Sequence, residues 1–266
     1  MCSDSLEMAI KDRLAKGKSP KAIIVVHLYG MPAKMNEILE VAQKYNIPVI
    51  EDAAEALGSA YQGRKCGTFG LMSILSFNGN KIITTSGGGA LVCNTLEQKN
   101  KAVYLSTQAR ENAPHYQHSE IGYNYRMSNV SAGIGRGQME VLDKRVEARR
   151  NNHFFYVKLF QEIEGVTVFS EPNEDFYSNH WLSAITVDER ITGWSNHDLR
   201  LQFRNEKIES RPLWKPMHLQ PVFENSIYYG NSVAEDLFNK GLCLPSGSNL
   251  TEEQKNRIKE VVLKMK

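Results

Sequence analysis

Cysteine is scarce. The chain has 266 residues and four cysteines, Cys2, Cys66, Cys93 and Cys243, none of them in a C-x-x-C pair. That argues against a cysteine zinc site, so no metal is expected, and against a disulfide scaffold. It fits a reducing, cytoplasmic setting. Long apolar runs are missing too. No stretch is apolar enough to span a bilayer, and the opening MCSDSLEMAIKDRLAKGK has no apolar segment of signal-peptide type. Charge of one sign is also lacking. There are 32 Lys and Arg against 30 Asp and Glu, a net +2, and the basic residues are scattered. Nucleic acid is therefore not an expected partner. Internal repeats and low-complexity tracts are absent. What remains is an ordinary globular balance, 41% apolar and 23% charged. The length suits one large domain or a large domain with a smaller appendage.

The first third alternates strand and helix. The β-branched run Ala22–Val26 predicts a strand buried on both faces. Met35–Tyr45 places Ile38, Leu39, Ala42 and Tyr45 on one helical face. Ile47–Ile50 predicts a second buried strand, ending in Glu51 and Asp52. This order implies a parallel pair with a right-handed crossover, and ligands bind such sheets beyond the carboxyl ends of the strands. Ile74–Phe77 and Ala90–Cys93 read as two further strands. A polar, glycine-rich connection with Gly87, Gly88 and Gly89 joins them. From Ser131 to Glu164 the pattern predicts one long helix. Beyond it, the segment from Trp181 to Val187 and the segment from Leu199 to Pro212 read as strands, and Gly230–Lys240 as a helix. A last helix begins at Thr251, where Gln254 completes a capping box. A sheet with so few strands leaves faces and edges uncovered, which predicts a chain that is N-terminally incomplete or that depends on a partner to complete the sheet.

Three segments carry chemistry. Asp52 ends a buried strand and so points into a crevice; the plainer alternative is that it caps a helix starting at Ala53. Lys81 lies between a strand and the glycine-rich turn, with the Ser76 hydroxyl nearby. A lysine amine there can form a Schiff base with an aldehyde and shuttle a proton, although most lysines in polar loops are simply solvated. In Gly122–Asn129 (GYNYRMSN), an amide and a guanidinium precede a long helix and could grip an anion.

Together, HLYG, IEDAAEALGSAYQGRKCGTFG, SFNGNKIITTSGGGALV and GYNYRMSNVSAGIGRGQME resemble consecutive motifs of the DegT-type sugar aminotransferases. These are fold-type-I enzymes that use pyridoxal 5′-phosphate (PLP). Ile208–Phe223 (IESRPLWKPMHLQPVF) resembles the subgroup that acts on UDP-linked 4-keto-6-deoxy-N-acetylhexosamines, and the likeness runs from about Pro20 to the C-terminus. The resemblance implies an α/β fold, a PLP-binding large domain over 1–144 with an incomplete, mostly parallel sheet, and a smaller α+β domain over 145–266. It implies that Lys81 holds the cofactor and moves the proton between cofactor and substrate carbon. Asp52 would pair with the pyridine nitrogen, Ser76 would hold the phosphate, and Asn124 would reach that phosphate from the other subunit of a homodimer. Glu55 stands where many relatives carry Gln or His near the ring hydroxyl, so an acid there is a departure. Arg211, Trp214, Lys215 and His218 fall in the motif linked to the sugar nucleotide; the alternative for that cluster is a domain interface.

The implied reaction is ping-pong. An amino donor, glutamate in the family, aminates the cofactor, and a 4-keto sugar nucleotide takes the nitrogen at C4 for surface glycan synthesis. Relatives with histidine in place of the lysine are dehydratases, and Lys81 favours transamination. Family members also carry an earlier portion of the large domain, which contributes to the phosphate site and stacks on the cofactor ring. Its counterpart is not visible here. The competing expectation is therefore an inactive fragment or partner subunit that keeps the dimer contacts without catalysis.

Overall fold

The computed structural model describes residues 1–265. Helix α1 (Ser3–Ala15) leads into β1 (Ile23–Val26), α2 (Met35–Lys44) and β2 (Val49–Asp52). Short strands β3 (Ala60–Tyr61) and β4 (Arg64–Lys65) precede β5 (Met72–Ser76), β6 (Gly89–Cys93) and α3 (Leu96–Ser106). The second half runs through α4 (Asn129–Met139), α5 (Leu142–Phe160), β7 (Val166–Val168), β8 (Phe176–Tyr177) and β9 (Ser183–Val187). It continues with α6 (Glu189–Thr192), α7 (Asn196–Asn205), β10 (Arg211–Pro212), α8 (Val233–Lys240), β11 (Gly241–Leu244) and α9 (Glu252–Leu263). Among the described residues no helix is long and apolar enough to cross a membrane.

The first sheet has the order β1-β2-β5-β6, with β1, β2 and β5 parallel and β6 antiparallel. Its two faces differ sharply. Val25, Glu51 and Ser73 form one cross-strand row, and all three are buried under the layer that contains α2. The other face carries the rows Ile24–Ile50–Met72–Cys93 and Val26–Asp52–Ile74–Leu91. Ile24 is 58% exposed, Val26 44%, Ile74 44% and Leu91 47%, so this face is open. The expectation that the first strand is buried on both faces is thus corrected. β-branched residues supply the strand, but helices cover one side only. Asp52 belongs to the open, apolar face.

Glu51 is what fixes that assignment. Its buried carboxylate lies 3.0 Å from His27 Nε2 and accepts the backbone N–H of Gly67 (2.7 Å), Phe69 (2.6 Å) and Gly70 (2.6 Å). His27 Nδ1 accepts the N–H of Ala33, which leaves Nε2 to carry the proton that Glu51 receives. Burial raises the Glu51 carboxyl, but His27 and the amides of Gly70 and Gly67 outweigh it, and the group ends below its ordinary value.

The second sheet, β10-β11-β9-β7, is antiparallel throughout. Tyr156, Phe160, Ile185, Leu199, Phe203, Leu242 and Ile258 form its core with α5, α7 and α9. Three expectations change here. The single helix over 131–164 is two helices, because Val141 takes a non-helical conformation (φ −115°, ψ 11°). The turn lets Leu142 and Val146 pack against Ile82, Ile83 and Trp181, while α4 buries nothing within the chain. The strand expected from Leu199 to Pro212 is mostly α7, started by a capping box between Ser195 and Asp198 and anchored by the buried i, i+4 pair Leu199 and Phe203. Finally, α8 begins at Val233, after Ser232 adopts a left-handed φ of 59°. The box at Thr251 and Gln254 stands as read.

Glu51→Gln keeps the volume but replaces an acceptor oxygen with a donor facing N–H groups. The expected loss is about 2–4 kcal/mol, read as a lower urea midpoint at pH 7. The Glu51 pKa is depressed on folding, so its contribution is present above the unfolded value of about 4.5 and is lost as pH falls through the folded value. The gap between wild type and variant should therefore narrow below about pH 4.5; a gap constant from pH 7 to pH 3 contradicts this assignment.

Candidate active site

Lys81 is not a solvated loop lysine. Its side chain is 13% exposed, and its Nζ lies 3.5 Å from Glu55 Oε1 and 4.3 Å from the ring centre of Trp181. The turn that carries it is pinned locally. The N–H of Lys81 donates to Asn78 O (3.0 Å), and Trp181 Nε1 donates to Asn80 O (2.8 Å). Trp181 is in turn fixed by the buried Arg149, which donates to its carbonyl, and by Asn179 Oδ1, which accepts its N–H at 2.8 Å. Burial pushes the Arg149 guanidinium down to about 10.

Glu55 links this turn to the first sheet. Its Oε2 accepts the backbone N–H of Tyr29 at 2.7 Å, leaving Oε1 toward Lys81. Tyr29 has a left-handed φ of 58°, an uncommon conformation for a bulky residue that aims its amide at Glu55. The Tyr29 hydroxyl, raised by burial, accepts the N–H of Trp214 at 2.8 Å, and the two rings meet edge to face at 5.3 Å. Asn179 completes the frame. Its N–H donates to Ser59 Oγ, and its side-chain amide donates to Glu55 O and Leu57 O, each at 2.9 Å. Gly30 is required beside it: φ is +89°, and a Cβ there would overlap Asn179 Oδ1.

Asp52 caps no helix; residues 53–58 form turns, and its Oδ1 accepts the N–H of Ala54 at 3.1 Å. Asp52 and Glu55 line one cavity of about 780 Å³, whose apolar wall includes Ile24, Val26 and Leu28 and which Trp214 and Lys215 close on the far side. A second cleft of about 530 Å³ is lined by Asn80, Trp181, Arg211 and Trp214. Trp214 thus stands between the two spaces. Ser76 is half-buried at the end of β5, next along the sheet from Asp52, and its Oγ accepts only a long contact of 3.4 Å from Asn78 N.

Lys81 and Ser76 themselves line neither cavity, and two further expected residues are engaged elsewhere. His218 lines neither cavity. It stacks on Tyr228 at 3.8 Å and meets Glu235 at 3.0 Å, bracing the segment before α8. Asn124 is exposed in the loop before α4, bridged to Thr107. That loop still touches the site: a Cβ on Gly88, whose φ is +88°, would come within 2.8 Å of Met127 Cε. Gly88 and Gly89 therefore sit at close approaches, while Gly87 has open space around it. Arg211 lines the smaller cleft while paired to Glu209. Tyr29, Asn179 and Trp181 escaped the sequence reading, since each serves through contacts between distant segments.

These features fit a carbonyl cofactor bearing a phosphate: a sheltered amine, a carboxylate at the strand end, a spare hydroxyl, and a cavity large enough to hold both cofactor and sugar. Relatives agree. A Bacillus subtilis (strain 168) protein, EpsN, named provisionally as a pyridoxal phosphate-dependent aminotransferase, is 50% identical over 267 residues, which span 99% of this chain and 68% of that protein. A UDP-4-amino-4,6-dideoxy-N-acetyl-β-L-altrosamine transaminase of Campylobacter jejuni (serotype O:23/36, strain 81-176) is 40% identical over 234 residues, 84% of this chain and 58% of that one. The crystal structure of a DegT/DnrJ/EryC1/StrS aminotransferase from Brucella abortus superposes with a TM-score of 0.87 at 28% identity, over 99% of this chain and 69% of that one.

The frame around Lys81 yields a direct test. Asn179→Ala removes two donated side-chain bonds and one accepted bond and should cost about 2–4 kcal/mol of stability, measured by chemical denaturation. A loss below about 0.5 kcal/mol, the level of an ordinary surface change, would show that the frame does not hold the site. The sequence model of the DegT/DnrJ/EryC1/StrS aminotransferase family matches residues 1–263, and the chain belongs to that family of PLP-dependent sugar aminotransferases.

Proposed function

We propose that this chain transfers an amino group to C4 of a UDP-linked 4-keto-6-deoxy sugar, with glutamate as donor, in cytoplasmic synthesis of a surface glycan precursor. The observation that carries the catalytic part is the sheltered Lys81 amine, 3.5 Å from a carboxylate that lines the same cavity as Asp52. The UDP assignment rests on the Ile208–Phe223 motif and on the Campylobacter jejuni relative. Other relatives bear the names of GDP-perosamine synthases and of a dTDP-4-amino-4,6-dideoxy-D-glucose transaminase, so the nucleotide is the point to test.

When bound, PLP supplies an electron sink for the pair left as a C–H bond next to nitrogen breaks. The chain's own residues do the rest. Lys81 Nζ takes that proton and returns it to the carbon on the other side of that nitrogen, a transfer that its shelter from bulk water favours. Asp52 accepts a hydrogen bond from the ring N–H and keeps it charged. Ser76 Oγ donates to the phosphate. Glu55, tied by Oε2 to Tyr29 N–H, positions Lys81 through Oε1. Trp214 and Lys215 face the sugar nucleotide from one wall, and Arg211 from the adjoining cleft, where a guanidinium suits a diphosphate. His218 has no direct part in this assignment, given its brace to Glu235.

We further propose a large domain over 1–144, a small domain over 145–266 and a homodimer in which Asn124 reaches the partner's phosphate site. Support comes from the exposed apolar side chains around Asn124, with Ile121 at 85%, Tyr125 at 78% and Val130 at 76%. One observation favours the second reading, an inactive fragment or partner subunit that keeps the dimer contacts without catalysis: the open apolar face that carries Asp52.

The experiment offers UDP-, GDP- and dTDP-linked 4-keto-6-deoxy sugars with glutamate and follows the 4-amino product. UDP-sugar turnover is expected to lead by about tenfold or more, the discrimination that one or two pocket contacts supply. Asp52→Ala and Lys81→Ala should lower kcat by about a hundredfold or more with both proteins folded. Equal turnover in Lys81→Ala contradicts the mechanism, and a lead by a GDP- or dTDP-sugar replaces the nucleotide assignment.

A further inference from the structure

A second cluster of polar side chains lies behind the cavity wall, and the reaction gives it no task. His153 on α5, Glu171 in the loop after β7 and His180 before β9 each bring one nitrogen or oxygen within 4.8 Å of the others. His153 is 1% exposed and His180 3%. The two imidazoles stack at 3.7 Å, nearly parallel. Burying two histidines and a carboxylate together costs free energy unless their polar atoms are used. Here not all are. His153 Nδ1 is buried without a hydrogen-bond partner, and His180 Nε2 meets only Glu171 Oε2, at 3.1 Å and outside good hydrogen-bond geometry.

We propose that His153, Glu171 and His180 form a binding site for one divalent cation of the zinc class. The donor set is two imidazole nitrogens and one carboxylate oxygen, which suits Zn²⁺ among the biological cations and leaves a coordination position open. The separation of His180 Nε2 and Glu171 Oε2 is 3.1 Å, the edge length of a coordination polyhedron with bonds of about 2.1 Å. The outer contacts are those that metal ligands require. His153 Nε2 meets Ser170 Oγ at 3.0 Å, and when Nε2 donates to that hydroxyl Nδ1 carries the lone pair. Glu171 Oε1 is occupied by Arg150 (2.5 Å) and by the N–H of Ser178 (3.2 Å), so Oε2 is the oxygen that faces the histidines. His180 holds a left-handed φ of 44°, fixed by Ser178 Oγ accepting its N–H at 3.0 Å. A non-glycine residue keeps such a conformation only where its surroundings impose it. His180 also lines the 780 Å³ cavity, which gives an ion access from solvent. Because the rings are parallel, His153 has to tilt toward Glu171 for its lone pair to meet the ion. Arg150 adds an opposing positive charge, which the carboxylate already neutralises.

The site does not depend on the aminotransferase reading, and its test uses binding alone. Full-length protein, stripped with a chelator and dialysed, is titrated with Zn²⁺ against a chromophoric indicator. Co²⁺ is titrated in parallel and its visible absorption recorded. One equivalent of Zn²⁺ is expected to bind, with a Co²⁺ spectrum of low-coordinate type. His153→Ala and His180→Ala should each weaken binding about tenfold or more. Arg150→Met, which frees the orientation of Glu171, should weaken it less than either. The thermal midpoint of wild type should rise with Zn²⁺, and that shift should vanish in a His153→Ala, His180→Ala double variant that still melts cooperatively. Absence of a stoichiometric site in wild type overturns the proposal without recourse to any variant. So does binding that the double variant retains, which would place the ion elsewhere.

Discussion

The assignment of Asp52 to the open face of the first sheet depends on a neighbour that never touches that face. Side chains on a strand alternate, so a one-residue slip in β2 would exchange Glu51 and Asp52. The inner position is the one surrounded by donors. His27 and the amides of Gly67, Phe69 and Gly70 converge on the Glu51 carboxylate, and no apolar or shorter group could satisfy them. The same contacts tie β1, through His27, to the 67–70 loop and so to the start of β5. The register of three strands and the orientation of Asp52 follow from one buried anion.

The second half of the site hangs from Asn179 and Trp181. Asn179 clamps the 55–57 backbone, Trp181 holds the 78–81 turn, and Arg149 on α5 secures Trp181 from behind. Lys81 and Glu55 therefore reach each other from segments that the C-terminal half of the chain holds in place. Tyr29, in the turn after β1, does the same for Glu55 through its N–H and for Trp214 through its hydroxyl. A substitution in this frame should act on the chemistry through placement, without touching substrate.

Much of this was legible in the sequence where the signal is local. The strand–helix–strand opening, the strand-end Asp52, the Lys81 turn and the Thr251 cap depend on periodicity or short motifs, and the structure has them. What was missed is non-local or contextual. α7 was read as a strand because LRLQF alternates, yet Ser195 and Asp198 cap a helix whose Leu199 and Phe203 share a buried face. The break at Val141 has no proline or glycine to announce it; it follows from the packing of Val146 on Trp181 and Ile83. His218, expected to face the sugar nucleotide because it lies in an aromatic-basic run, contacts Tyr228 and Glu235, which lie just beyond its motif. His153, Glu171 and His180 showed no metal-ligand spacing, since three separate elements bring them together.

The central claim is that Lys81, and no other lysine, is the amine that meets the cofactor. Protein loaded with PLP and reduced with borohydride, then digested and mapped, tests it most directly. The account predicts a pyridoxyl adduct on the peptide bearing Lys81 and none on that peptide's counterpart from Lys81→Ala. An adduct spread over exposed lysines such as Lys101 and Lys264, with Lys81 unmodified, would contradict it.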